Sequence, residues 1–173
     1  MNWVYGWIAI LLSAHAPVHL GSDKYGKANL ESLEISGTIK LNGTTVLKRT
    51  KITGNIIANG AHLHEVDVIG DAQFTDSQIE KEIQVIGSLK ARRSEFHQPI
   101  RFIGQRVSFS NCKLSGITIQ RDAAFKAKQV LELKEATYVD GPIVFEGGGG
   151  EVHLYFGSKI HGTVSGGKIV QKR

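Results

Sequence analysis

Five apolar-x-Gly tripeptides recur along the chain at a nearly constant interval. They are Ile35-Ser-Gly37, Ile52-Thr-Gly54, Val68-Ile-Gly70, Val85-Ile-Gly87 and Phe102-Ile-Gly104, with glycines 17, 16, 17 and 17 residues apart. A unit this short cannot bury an interior by itself, so a sustained period of this length requires units that stack on one another. Counting on by 17 reaches Arg121, preceded by Ile119 in the same apolar position. The pattern is then expected to resume at Val139-Asp-Gly141 and Ile160-His-Gly162 after longer turns, which gives about eight phases over residues 30 to 173.

Other apolar residues keep step with the glycine. Two residues after it stand Ile39, Ile56, Ala72, Leu89, Ala123, Ile143 and Val164, and four after it Leu41, Ala58, Phe74, Ala91, Phe125 and Phe145. Nine after it come Val46, Leu63, Ile79, Phe96 and Val130, and thirteen after it Ile83, Ile100 and Ile117. Alternation around the glycine marks a strand with one buried face, and the later apolar positions mark further inward-facing sides. Asn42-Gly43 and Asn59-Gly60, followed by Thr75-Asp76 and Ser110-Asn111, supply residue types that accept a left-handed corner. The expected fold is all-β: a single-stranded parallel β-helix of triangular section, taken as right-handed, with about eight coils of about 17 residues stacked 4.8 Å apart. An antiparallel sandwich also shows short strands between glycine turns, but would not hold one phase across five consecutive segments.

Composition sharpens this reading. Twenty glycines among 173 residues, with only 3 prolines and no Gly-X-Y period, exclude collagen, and 41% hydrophobic against 21% charged residues excludes a disordered chain. The single cysteine, Cys112, cannot form an internal disulfide. A net charge of +5 favours anionic surroundings, but no basic run with interleaved aromatics appears, so specific nucleic-acid binding is not expected. The tract Gly147 to Gly150 is expected to bulge from the stack as a loop after the coil gains residues beyond Val130, and Lys168 to Arg173 form a basic tail.

Residues Trp3 to Ala16 are apolar and carry no charge. With Ala14-His15-Ala16 as a small-x-small cleavage site, they read as an export signal, or, uncleaved to Leu20, as a membrane anchor. The expected organisation is therefore a signal peptide or anchor at 1–21 and a β-solenoid at 22–173, in an exported, periplasmic or membrane-anchored protein.

Candidate chemistry is sparse. At ten residues after the glycine His64, Glu80 and His97 form one outward column, beside His62, Gln78, Glu95 and Cys112 at eight. Neighbours 4.8 Å apart in such a strip could converge on a divalent ion or act as an acid and base. A solvated polar ladder in which Glu80 neutralises its neighbours is the simpler reading, and Cys112 reads as a small packing residue. Asp67, Asp71, Asp76, Asp122 and Asp140 fall at different phases, so no carboxylate cluster for polysaccharide cleavage is expected. No catalytic residue, cofactor or metal ligand is assigned.

Segments such as Gly54-Asn-Ile-Ile-Ala-Asn-Gly60, recurring with Ile-x-Gly about every 17 residues over residues 30 to 165, resemble the bactofilins, polymer-forming bacterial cytoskeletal β-solenoids. The resemblance implies self-assembly by end-to-end stacking, often at a membrane. The expected function is a non-catalytic structural or interaction solenoid. Its partners would be its own copies or another protein of an envelope assembly, with an anionic envelope polymer or lipid as a further contact. The alternative is a carbohydrate-directed β-helix enzyme or glycan-binding protein.

Overall fold

The computed structural model describes residues 19–121 and 127–173. Every strand in it pairs in parallel with a strand of an adjacent coil, and the chain forms an all-β solenoid of about nine turns. The additional turn arises because the first strand, His19–Tyr25, already lies on Leu33–Asn42 in register, His19 opposite Ile35 and Gly21 opposite Gly37. The expected signal or anchor at 1–21 thus overlaps this strand at its last residues, and the rest of it lies outside the described residues.

Each coil has three sides. Strands such as Leu33–Asn42 and Ile83–Arg92 run along two of them, bending at the glycine, and a short strand such as Gln78–Ile79 makes the third. The register places Gly37, Gly54, Gly70 and Gly87 directly over one another. At Gly54 a Cβ would lie 2.0 Å from the carbonyl oxygen of Gly37, and φ is +133°. Both facts exclude a side chain at this bend, which is why the repeat is punctuated by glycine rather than by any small residue. At the next corner the left-handed position is held by Gly43, Gly60, Asp76, Arg93 and Asn111 in successive coils, as the Asn-Gly and Asp signals imply.

The core is a set of vertical ladders. One runs Ile35, Ile52, Val68, Val85, Phe102, Ile119 and Phe145. A second, two residues beyond the glycine, runs Ile39, Ile56, Ala72, Leu89, Val107, Leu131 and Val152. Members of both are buried. The ladder Leu41, Ala58, Phe74, Ala91, Phe109 alternates large and small residues, and Phe96 on the opposite side packs edge-to-face against Phe74 and Phe109, with ring centroids 6.1 and 5.6 Å away.

The C-terminal phase differs from the one expected. Val139 and Ile160 stack on Phe96 and Leu114, nine positions past the glycine rather than two before it. Gly141 and Gly162 therefore form a separate corner over Ser115 and Gly116, where their Cβ atoms would meet carbonyl oxygens at 1.9 Å. Ile143 stacks on Ile117, Phe145 on Ile119 and Val164 on Ile143, again not at the expected offsets, and Val130 lies beside Arg106 on an outward column. Ala123 and Phe125 lie outside the described residues. The cause is where the extra residues sit: they enter between strands Ile117–Gln120 and Val130–Lys134, before Val130 rather than after it. The glycine column resumes at Gly150 and Gly167, which are paired and sit two residues before Val152 and Ile169. The Gly147–Gly150 tract is a tight turn closed by Gly148 N–H donating to the Phe145 carbonyl at 3.1 Å, not a bulging loop. Gly150 is buried, and a Cβ there would enter the Phe145 ring at 2.1 Å.

Two stability measurements follow from this packing. Gly54→Ala should lose about 3 kcal/mol in chemical denaturation while Gly26→Ala, whose Cβ meets nothing within 4 Å, stays near neutral. Thr50 is fully buried in the ladder between Leu33 and Val66, and its Oγ1 has no hydrogen-bond partner. Thr50→Val keeps the shape and removes the orphaned hydroxyl, so it should raise stability by about 1 kcal/mol; a loss would mean that the hydroxyl is satisfied.

Candidate interaction surfaces

The outward His64, Glu80, His97 column forms as the spacing implies. His64 Nδ1 lies 3.3 Å from Glu80 Oε2, while His97 Nε2 turns instead to Glu95 Oε2 at 3.5 Å. These side chains are well exposed, and the same column carries a second pair higher in the stack, His161 Nδ1 to Asp140 Oδ1 at 3.0 Å. Among the described residues no group of three His, Cys, Asp or Glu is placed to hold a metal ion. The column is a set of separate polar pairs, each of which adds little to stability.

The neighbouring strip departs from expectation at its last member. His62, Gln78 and Glu95 stack in register, but Lys113 and not Cys112 follows them. Val107 lies eighteen residues after Leu89 in the ladder, one more than the preceding step from Ala72 to Leu89, and the extra residue at the Gln105 corner turns Cys112 inward. There it joins a buried column of small polar residues, Thr44, Ser77, Ser94 and Thr137. In this column a hydroxyl of one coil accepts the backbone N–H of the coil before it: Ala61 donates to Ser77 Oγ at 3.2 Å, Ser77 to Ser94 Oγ at 3.1 Å and Cys112 to Thr137 Oγ1 at 3.3 Å. The Cys112 thiol donates to the Ser110 carbonyl at 3.3 Å, and burial pushes its pKa up, both of which suit packing and oppose nucleophilic use.

The two ends of the stack are unlike. In the strand His19–Tyr25 the inward ladder position beneath Ile39 is held by Asp23, a charge that discourages another strand from pairing there. In the strand Gly167–Lys172 the same ladder position is Ile169, 47% exposed, and the strand's far edge meets no other strand among the described residues. Leu154, Ile160 and Val164 are only partly buried beside it, and Phe156 projects from the corner almost fully exposed. The coil is basic: Lys159, Lys168, Lys172 and Arg173 lie in it and no carboxylate side chain does.

A cluster that the spacing did not reveal sits just below this coil. Glu132 and Glu151 lie on one outward side in adjacent coils, with His153 stacked over Glu132. Their side chains are only 12 to 16% exposed. Glu151 is bonded by His153 at 3.0 Å and Lys128 at 2.9 Å, with Lys168 of the terminal strand at 3.4 Å. Those donors hold its carboxyl down to about 2. At Glu132 burial pushes the pKa up, but the hydrogen bond from Lys134 and the charges of Lys134 and Arg106 outweigh it and leave the group below its usual range. Glu-x-Lys at 132–134 and Glu-x-His at 151–153 carry the signal, but it aligns only once the inserted residues are placed.

No protein-family model, curated protein or solved structure matches the chain.

Glu151 joins the residues preceding one strand to the strand two coils on, so its ionisation should be visible in stability. A carboxyl whose folded pKa lies near 2, below the unfolded value of about 4.3, stabilises above that unfolded value and loses the contribution as pH falls through the folded one. The gap in urea midpoint between the native chain and Glu151→Gln should therefore shrink as pH is lowered from about 5 to about 2. A gap independent of pH would show that Glu151 is not the group involved.

Proposed function

We propose that this chain is a non-catalytic structural or interaction solenoid, exported or membrane-anchored, that docks through its coil ends and faces onto its own copies or onto another protein of an envelope assembly. The observation that carries the reading is the strand Gly167–Lys172, whose far edge meets no strand among the described residues and whose core residue Ile169 is half-exposed, in register with the stack. Such an edge is a template for strand addition, in which backbone hydrogen bonds supply affinity and alternate side chains supply selectivity. Asp23 at the opposite end opposes the same reaction there, so pairing is directed to one end. This end-on association is in keeping with the behaviour that the bactofilin resemblance implies. The basic side chains of the last coil add attraction to an anionic envelope polymer or lipid. The apolar stretch Trp3 to Ala16 supports export or anchoring, which N-terminal sequencing of the mature protein resolves directly.

Light scattering coupled to size exclusion, with electron microscopy, tests the docking. The mass should rise with protein concentration, and Gln171→Pro, which removes a donor facing away from the strand Gly150–Tyr155, should abolish the rise. A native chain that stays monomeric, without added order on concentration, sinks self-association as the function.

A further inference from the structure

Above the strand Ile83–Arg92 the outward surface of one side sinks into a groove of about 690 Å³. Its origin lies in the register. Ser108 stands between Lys90 and Glu132 in one outward column, and Ser88 lies over Asp71 in the next, so two short side chains interrupt columns of long ones. Arg106, which follows Ser88 in that column just past the Gln105 corner, forms a wall. The groove is half open to solvent, with a volume in the range of clefts that take small organic ligands.

We propose that this groove binds an acidic saccharide, a ligand rich in hydroxyls that also carries carboxylate charge. Two of its cations are loosely held. Arg106 is 68% exposed and makes a long ion pair, 3.8 Å to Glu132, while Lys90 has no ion pair among the described residues. The third, Lys134, is held by Glu132 at 2.8 Å. That contact fixes Glu132 in an ionised state on the groove wall, where it accepts hydrogen bonds and donates none. Asp71 adds a second acceptor, Ser88 supplies a hydroxyl that can donate and accept, and the Ser108 hydroxyl, which donates to Glu132, can accept.

This mixture selects among ligands. A small isolated anion would meet the repulsion of Glu132 and Asp71, and an apolar cofactor would desolvate charged walls without compensation. Single-stranded nucleic acid needs aromatic platforms, and none lines the groove. A uronic acid chain satisfies both halves: its carboxylates pair with Arg106 and Lys90, and its hydroxyls donate to Glu132 and Asp71. The groove lies on the side of the stack, so the proposal stands apart from docking at the coil ends and survives if that docking fails.

The test is calorimetric titration of the full chain with a trimer of galacturonic acid, with the neutral galactose trimer, and with vesicles containing phosphatidylglycerol. The uronate trimer should bind, more weakly as salt is raised, and shift the amide resonances of Ser88 and Ser108. Arg106→Ala and Lys90→Ala should each weaken it by about tenfold, and Lys51→Ala, on another side of the coil, should leave it unchanged. The resonance shifts of the native chain keep the proposal open to refutation even if a variant misfolds. Equal binding of the neutral trimer, binding that Arg106→Ala leaves intact, shifts confined to residues outside the groove, capture by vesicles in place of the uronate, or no uronate binding at all would each overturn it.

Discussion

The rest of the structure depends on the backbone contact at the glycine bend. Successive coils approach so closely there that the carbonyl oxygen of Gly54 occupies the place where a Cβ on Gly70 would be, and the same holds from Gly37 to Gly87. With no side chain to separate them, the coils settle at the distance at which parallel strands hydrogen-bond, and every inward residue is forced to lie over its counterpart one turn earlier. Register is thus imposed at one point per turn and transmitted along the strands. The inward ladders, the hydroxyl column and the exposed ion pairs between coils are all consequences of it.

Because like positions stack, the core must solve its packing by variation along a column rather than across the interior. Phe74 and Phe109 are accommodated because Ala58 and Ala91 alternate with them, and the space left beside Ala91 is filled by the Phe96 ring from the facing side. The hydroxyl column solves a different problem. Backbone donors turned inward at the corner would be orphaned, and the Ser and Thr side chains of the next coil satisfy them. Cys112 is the sulfur member of that set, which accounts for a buried cysteine in a chain with no second one to pair with.

The stretch from residue 30 to 104 was readable because its one irregularity, a register shift between Val46 and Arg49, leaves the glycine phase in place: the columns through Leu41, Ala58, Phe74 and Ala91 and the left-handed corner at Gly43, Gly60 and Asp76 fall where the spacing places them. Two events break the count. One residue at the Gln105 corner is invisible to a periodicity of 17, yet it moves Cys112 from an outward column to an inward one. The longer insertion before Val130 then shifts the later phases, and Val139-Asp-Gly141 imitates the glycine motif closely enough to hide the displacement. The pairing of Glu132 with the coil of Glu151 was lost for the same reason, since a constellation assembled from residues in adjacent coils exists only when the register between those coils is known.

This architecture separates what holds the molecule together from what it can recognise. Inward positions are constrained by the column above and below, whereas an outward residue touches only its neighbours on one surface. Lys90, Ser108 and Glu132 are far apart in the chain and meet in space solely because their inward neighbours Leu89, Val107 and Leu131 share a ladder. A recognition site can therefore be assembled by exchanging outward side chains on successive turns without altering the fold beneath them. The departures from the 17-residue count that obscure the repeat are the same features that give the solenoid's surface its relief, and both the groove beside Arg106 and the half-buried carboxylates near Lys128 lie where the repeat is broken.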